Sequence, residues 1–303
     1  MQWKGVLPAM TTAFDTDLKI DHKFVARHAQ WLVDNGCSGI VCLGSLGEAA
    51  TLSFDEKIAV VRILVSAVPA VPIVAAISAL STEEAVNLAR AVLEEGAQGL
   101  MILPPYVYRG DWRENKAHVA AILKATPLPA MLYNNPIAYG TDFTPEQIAE
   151  VAGEFANLAA VKESSADVRR VTAIRSLIGD RLAIFVGVDD AIVEGIEAGA
   201  VGWVAGLVNA LPRESVDLFN LGVAGQKREA FELYRWFLPL LRMDTVPKFI
   251  QLIKQVQEEL GIGSSRVRPP RLQLVGAELD EVIAAVAHAL KSRPAVAHRS
   301  TAP

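Results

Sequence analysis

A chain of 303 residues with 51% apolar and 21% charged residues holds enough apolar material for a substantial core, which excludes intrinsic disorder. The net charge of -5 and pI near 5.6, with no Lys/Arg run, argue against nucleic-acid or anionic-membrane partners. Cys37 and Cys42 are too few for a disulfide framework and read as buried free thiols.

Residues 1–5 run straight into strand-like sequence with no apolar leader block, so a cytoplasmic location is expected. The uncharged stretch 63–82 has the look of a membrane span, but Pro69 and Pro72 divide it into a helix end, a turn and a strand. Short apolar runs then alternate with longer amphipathic segments throughout, the order of repeated βα units around a parallel sheet. Strands are predicted at 6–10, 39–43, 73–77, 99–103, 130–133, 158–162, 182–186 and 202–205. Each is apolar on both faces, as a strand covered on both sides must be. Ser53 with Glu56 and Ser81 with Glu84 read as capping boxes, and Thr144 before Pro145 as an N-cap with a first-turn proline. Gly36, Gly96, Gly179 and Gly199 fall between a helix and the next strand, where a positive φ is cheap only for glycine.

This order predicts a (β/α)8 TIM barrel over 1–212. An open doubly wound sheet is the alternative, but no Gly-x-Gly-x-x-Gly turn follows the first strand. Helix is predicted from 214 to 261 and from 277 to 291, with Pro269-Pro270 between. Residues 213–292 therefore read as a C-terminal helical extension packed on the barrel or on a neighbouring subunit, and 293–303 as a frayed tail.

In a barrel the site forms at the carboxyl ends of the strands. The sixth predicted strand ends Val161-Lys162-Glu163-Ser164-Ser165, so Lys162 leaves the core partly desolvated. Burial disfavours the ammonium and leaves an amine able to attack a carbonyl, which makes Lys162 a candidate Schiff-base nucleophile; a snorkelling or ion-paired side chain is the plainer alternative. Tyr133, at the end of the fifth strand, could relay protons to and from a carbinolamine or merely seal the strand end. In Gly44-Ser45-Leu46-Gly47-Glu48, backbone N–H groups and the Ser45 hydroxyl suit a carboxylate, with Glu48 bracing the turn by accepting backbone hydrogen bonds.

Tyr106 and Tyr108 line either the cleft mouth or an interface. Asp189 or Asp190 is expected to cap the next helix rather than ligate a metal. The small residues around Val204, Ala205 and Gly206 leave room for a ligand. His22, His28, His118, His288 and His298 fall on predicted helices or the tail, so no metal and no other cofactor is expected.

Gly44-x-x-Gly47-Glu48, Tyr133-Asn134-x-Pro136 and Val161-Lys162-Glu163 occur in the order and spacing of the dihydrodipicolinate synthase and N-acetylneuraminate lyase family, which the chain resembles over nearly its whole length. The resemblance implies a (β/α)8 barrel with a helical C-terminal region, usually a homotetramer, and a 2-keto acid or imine held covalently on lysine. It implies that Lys162 forms the Schiff base and Tyr133 relays protons. By the same resemblance Ser45, Leu46 and Gly47 hold the substrate carboxylate, and the Val204 carbonyl lines the site.

Two departures bear on the substrate. Members that make dihydrodipicolinate usually carry an arginine where this chain has Ala138, for the carboxylate of the second substrate. They also usually carry a second tyrosine where it has Val107, completing a relay with a threonine and the strand-five tyrosine. Without a bidentate carboxylate partner, and with an apolar wall of Leu46, Ile137, Ala138 and Trp203, a single-carboxylate substrate fits best. Tyr-Asn-Asn-Pro-Ile at 133–137 and Arg-Val-Arg-Pro-Pro-Arg at 266–271 look most like the Δ1-pyrroline-4-hydroxy-2-carboxylate deaminases within the family. The rival readings are a 2-keto-3-deoxy sugar acid dehydratase or aldolase, 4-hydroxy-tetrahydrodipicolinate synthase, and a non-catalytic metabolite-binding barrel.

Overall fold

Apolar strand segments leave their backbone polar groups to be satisfied by neighbouring strands, and here the neighbours close on one another. The computed structural model describes residues 1–106 and 108–294. The first four βα units are β1 (Gly5–Pro8) with α1 (His22–Asp34), β2 (Ile40–Cys42) with α2 (Phe54–Ala67), β3 (Ile73–Ile77) with α3 (Thr82–Glu94), and β4 (Gly99–Ile102) with α4 (Trp112–Ala125). Next come β5 (Ala130–Asn134), followed by a single turn α5 (Pro136–Tyr139) and by α6 (Pro145–Glu154), and β6 (Leu158–Glu163) with α7 (Arg169–Ile178). The last two units are β7 (Ala183–Val186) with α8 (Ile192–Glu197), and β8 (Gly202–Ala205) with α9 (Pro212–Val223).

The strands are parallel, in the hydrogen-bonded order β1-β8-β7-β6-β5-β4-β3-β2. A bridge between Ala9 and Val41, with Met10 N donating to Val41 O at 2.8 Å, brings the two ends together. The result is a (β/α)8 barrel with a C-terminal helical part formed by α10 (Lys227–Leu241), α11 (Phe249–Glu259) and α12 (Ala277–Lys291). All eight predicted strands are present; β3 and β8 have the predicted bounds, and the ends of the others shift by at most two residues. Strand β3 is buried at every position, as its two apolar faces require.

Ser53 and Glu56 form the reciprocal capping box expected of them. Ser81 accepts from Glu84 N at 3.1 Å, but the return bond is missing, and the Glu84 carboxylate instead stands 3.9 Å from Lys57 Nζ. Thr144 caps α6 with Pro145 in its first turn, and Gln147 completes a capping box there. The four inter-element glycines have φ of 95° (Gly36), 90° (Gly96), 55° (Gly179) and 108° (Gly199).

Further expectations need correction. The stretch 214–261 is not wholly helical, because Gly225 takes a φ of 68° and ends α9, and a 3-10 turn, Arg242–Thr245, separates α10 from α11 before Pro247. Arg293, placed in a frayed tail, donates from Nε to Glu214 Oε1 at 2.6 Å. Residues 295–303 and Val107 lie outside the described residues. Those that concern Asp189 and the apolar wall belong to the site. Among the described residues no helix is long and apolar enough to cross a membrane.

Candidate active site

Parallel pairing of β5 with β6 sets Tyr133 opposite Lys162, so the two side chains leave the same face near the carboxyl ends of their strands. Lys162 Nζ stands 4.1 Å from the centre of the Tyr133 ring. The residues are only 5% and 6% exposed. Gly187 makes this possible, because a Cβ there would lie 2.5 Å from Lys162 Cε and 2.7 Å from its Cγ.

Burial lowers the Lys162 pKa to about 8, against the opposing pull of Asp244 and Asp189. Roughly a tenth of such an amine is free at pH 7, enough for attack on a carbonyl or imine carbon. Burial pushes the Tyr133 phenol up to about 12, offset in part by Asn135 Nδ2, which donates to its hydroxyl at 3.0 Å. Tyr133 is therefore a neutral phenol at pH 7, with a proton to give.

The turn after β2 offers its backbone. Among the described residues no acceptor takes the N–H groups of Ser45, Leu46 or Gly47, which leaves three adjacent donors for an anion. The left-handed positions of this turn are Leu43 (φ 61°) and Glu48 (φ 55°), not the two glycines. Leu46 contributes main chain only, since its side chain packs with Ile250, Ile253 and Val267 of the C-terminal part. Val204 is buried in β8 opposite Leu7 of β1.

The expected apolar wall does not form. Leu46 faces the C-terminal part, Ile137 and Ala138 are exposed, and Trp203 is fully buried with its indole N–H on Asp189 Oδ1 at 3.0 Å. The cause is the turn α5, which swings residues 137 and 138 outward and carries Tyr139 inward. Asn135 caps that turn, accepting from Ala138 N at 2.9 Å while it holds the Tyr133 hydroxyl. The Tyr139 ring meets Tyr133 edge-on at 5.8 Å and lies 6.0 Å from Tyr106. Its hydroxyl shares a hydrogen bond with the Ser45 hydroxyl, and burial drives its pKa upward.

Tyr106 thus joins the aromatic group, whereas Tyr108 is exposed with its hydroxyl on Glu114. Tyr139 escaped the sequence reading because it follows a proline turn instead of ending a strand.

Glu48 braces its turn from a distance. Its Oε1 pairs with Lys254 Nζ at 2.5 Å and its Oε2 accepts from Arg268 N at 3.0 Å, so the backbone N–H that it takes belongs to the C-terminal segment. Both charges are buried, and Lys254 also donates to Arg266 O. Asp189 does not cap a helix. It is fully buried and accepts from Trp203 Nε1, from Gly206 N at 3.1 Å and from Leu207 N at 2.8 Å, fixing the turn that leaves β8. Asn134 and Glu163 tie the ends of β5 and β6 together through a 3.1 Å bond, and Glu163 also accepts from Ser165 N at 2.7 Å.

The relatives agree with this architecture. The dihydrodipicolinate synthetase family model matches residues 2–289. A 4-hydroxy-tetrahydrodipicolinate synthase of Methanothrix thermoacetophila is 32% identical over 271 residues, 88% of this chain and 90% of the relative. One from Moorella thermoacetica is 32% identical over 282 residues, 93% of this chain and 95% of the relative. The solved 4-hydroxy-tetrahydrodipicolinate synthase of Methylacidiphilum fumariolicum SolV superposes with a TM-score of 0.90 at 27% identity, covering 96% of this chain and 98% of that one. The chain belongs to the dihydrodipicolinate synthetase family and is an enzyme, a class I lyase or aldolase by membership.

Proposed function

We propose that Lys162 forms a Schiff base with a small substrate bearing one carboxylate beside a ketone or imine carbon, and that the reaction is deamination of Δ1-pyrroline-4-hydroxy-2-carboxylate to 2,5-dioxopentanoate and ammonia. The observation that carries the Schiff-base step is the buried, partly deprotonated Lys162 packed on the Tyr133 ring. The free N–H groups at 45–47 supply one anion site, and Ala138 supplies no cation for a second.

In this mechanism the carboxylate sits on the N–H groups of Ser45, Leu46 and Gly47, and Lys162 attacks the imine carbon C2. The ring nitrogen leaves C2 as an amine with a proton from Tyr133, which leaves a ketimine on Lys162. A C3 proton returns to Tyr133, giving an enamine that expels the C4 hydroxyl as water. Movement of the new double bond to C5 creates a second imine. Hydrolysis at C5 frees ammonia and hydrolysis at C2 frees Lys162, so two waters enter for the one that left. The hydroxyl pair Ser45–Tyr139 beside Tyr133 gives the proton a route onward.

The comparisons favour a second reading, 4-hydroxy-tetrahydrodipicolinate synthase, because the relatives named above carry that name. Arg109, an exposed residue whose guanidinium lies against Gly140 at the end of α5, is the cation proposed to serve it. Parallel assays decide between the two: release of ammonia and of 2,5-dioxopentanoate, a 2-keto acid with a C5 aldehyde, from the hydroxypyrroline supports deamination. Turnover only of pyruvate with aspartate semialdehyde replaces it with the synthase. A homotetramer in the cytoplasm is proposed for either reading; light scattering tests the assembly, with about four times the 32.6 kDa chain mass as the expected result and the mass of a single chain as the result against it.

A further inference from the structure

The 3-10 turn Arg242–Thr245 connects α10 to α11 and packs on the segments that follow β7 and β8, at Asp190 and Gly206. Arg242 Nε anchors it at 3.5 Å from Asp190 Oδ2. Gly206, just after β8, leaves the space for its acidic residue: a Cβ on Gly206 would lie 2.7 Å from Asp244 Cγ and closer still to Oδ1. Asp244 therefore rests on the Gly206 backbone, whose N–H is taken by Asp189. When ionised, Asp244 raises the pKa of both Lys162 and Tyr133.

The two carboxyls flanking Gly206 differ in one respect. Asp189 accepts from three N–H donors, the arrangement of a fixed structural carboxylate. Asp244 is part-buried; Lys162 is the cation that acts on it, and among the described residues no hydrogen-bond donor meets its carboxyl. Burial and the neighbouring Asp189 hold its pKa well above the ordinary carboxylate range, so of the two carboxyls it is the one more readily protonated. A carboxyl that no hydrogen-bond donor holds, at the same barrel mouth as the candidate nucleophile, has no structural task visible in its contacts.

We propose that Asp244 is a catalytic residue that gives its proton to the hydroxyl leaving C4 of a substrate held on Lys162. This role rests on the deamination reading. In the enamine, the C2=C3 pair shifts to form C3=C4 as the imine to Lys162 is restored. The C4–O bond breaks, and the departing oxygen takes the Asp244 proton and leaves as water. The Asp244 carboxylate then removes a C5 proton while Tyr133 protonates C3, which moves the double bond to C4=C5 and returns Asp244 to its acid form. A reaction that only joins carbon to carbon has no departing hydroxyl and needs no such acid.

The test compares wild type with Asp244→Asn, which keeps the shape that Gly206 accommodates. With pyruvate as probe, the variant is expected still to form the borohydride-trapped adduct on Lys162 and to exchange pyruvate methyl protons in D2O, with any change in those rates under about tenfold. Its turnover of the hydroxypyrroline is expected to fall about 100-fold or more, with partial recovery in Asp244→Glu. Turnover by Asp244→Asn within about threefold of wild type overturns the role and leaves the deamination reading standing. Loss of pyruvate exchange in step with turnover makes Asp244 a structural residue and equally overturns the role. A wild-type protein that forms the pyruvate adduct but does not act on the hydroxypyrroline overturns the reading, and the role of Asp244 with it.

Discussion

Lys162 Nζ stands 4.1 Å from the centre of the Tyr133 ring because the two residues are register partners across β5 and β6. The contact is set by main-chain pairing, so it does not depend on a mobile loop. Most of the lysine stem is fixed by Gly187, which has no side chain to displace it.

The lowered Lys162 pKa has two consequences of known sign. Attack needs the free amine, so the rate of adduct formation with pyruvate should rise about tenfold per pH unit below 8 and level off above it. For stability, the folded pKa lies below the unfolded value of 10.5, so the folded state binds fewer protons between the two. The cost of burying the ammonium is therefore present in full below pH 8 and fades as pH rises from 8 to 10.5. Lys162→Met should melt at a higher temperature than wild type at pH 7, with the gap narrowing across that window.

Ser45 and Tyr139 act through one shared hydrogen bond. Tyr139→Phe keeps the ring contacts with Tyr133 and Tyr106 but removes the proton route. Turnover should fall about 10- to 100-fold with the borohydride adduct retained. Ser45→Ala should do the same, and the double variant should be little worse than either single one. Additive losses in that cycle would mean that the two hydroxyls serve separate steps.

The buried Glu48–Lys254 pair ties the candidate carboxylate turn to the C-terminal part. Lys254→Met leaves the Glu48 charge buried without its cation and should cost about 3–5 kcal/mol in urea unfolding. Lys254→Met combined with Glu48→Gln should cost less than Lys254→Met alone. A single-variant loss under about 1 kcal/mol would show that Arg268 N and the nearby backbone suffice for Glu48.

Substrate choice is expected to respond at position 138. Ala138 is exposed on α5, so an arginine fits there without disturbing the core. Ala138→Arg should improve use of aspartate semialdehyde and leave pyruvate adduct formation unchanged. No gain would point to Arg109 as the group that already meets a second carboxylate.

The barrel was legible because its strands are apolar on both faces and its helices carry caps such as Ser53 and Thr144. Those are local patterns, and the strand-end positions of Lys162 and Tyr133 follow from them. Tyr139 and Asp244 were not legible. One sits inside a proline turn and the other in a break between two amphipathic helices, and both reach the strand ends only through tertiary packing. Leu46, Ile137 and Trp203 illustrate the converse: apolar residues near a strand end were read as a wall, but the turn geometry sends each elsewhere. Glu48 was read as a local brace because its partner Lys254 lies 206 residues away.

The identity of the nucleophile is tested most directly by mass spectrometry after borohydride reduction in the presence of pyruvate and, separately, of the hydroxypyrroline. The expected result is a single covalent adduct on the peptide containing Lys162, lost in Lys162→Ala. An adduct on another lysine such as Lys254, or turnover with no adduct and no loss in Lys162→Ala, would contradict it.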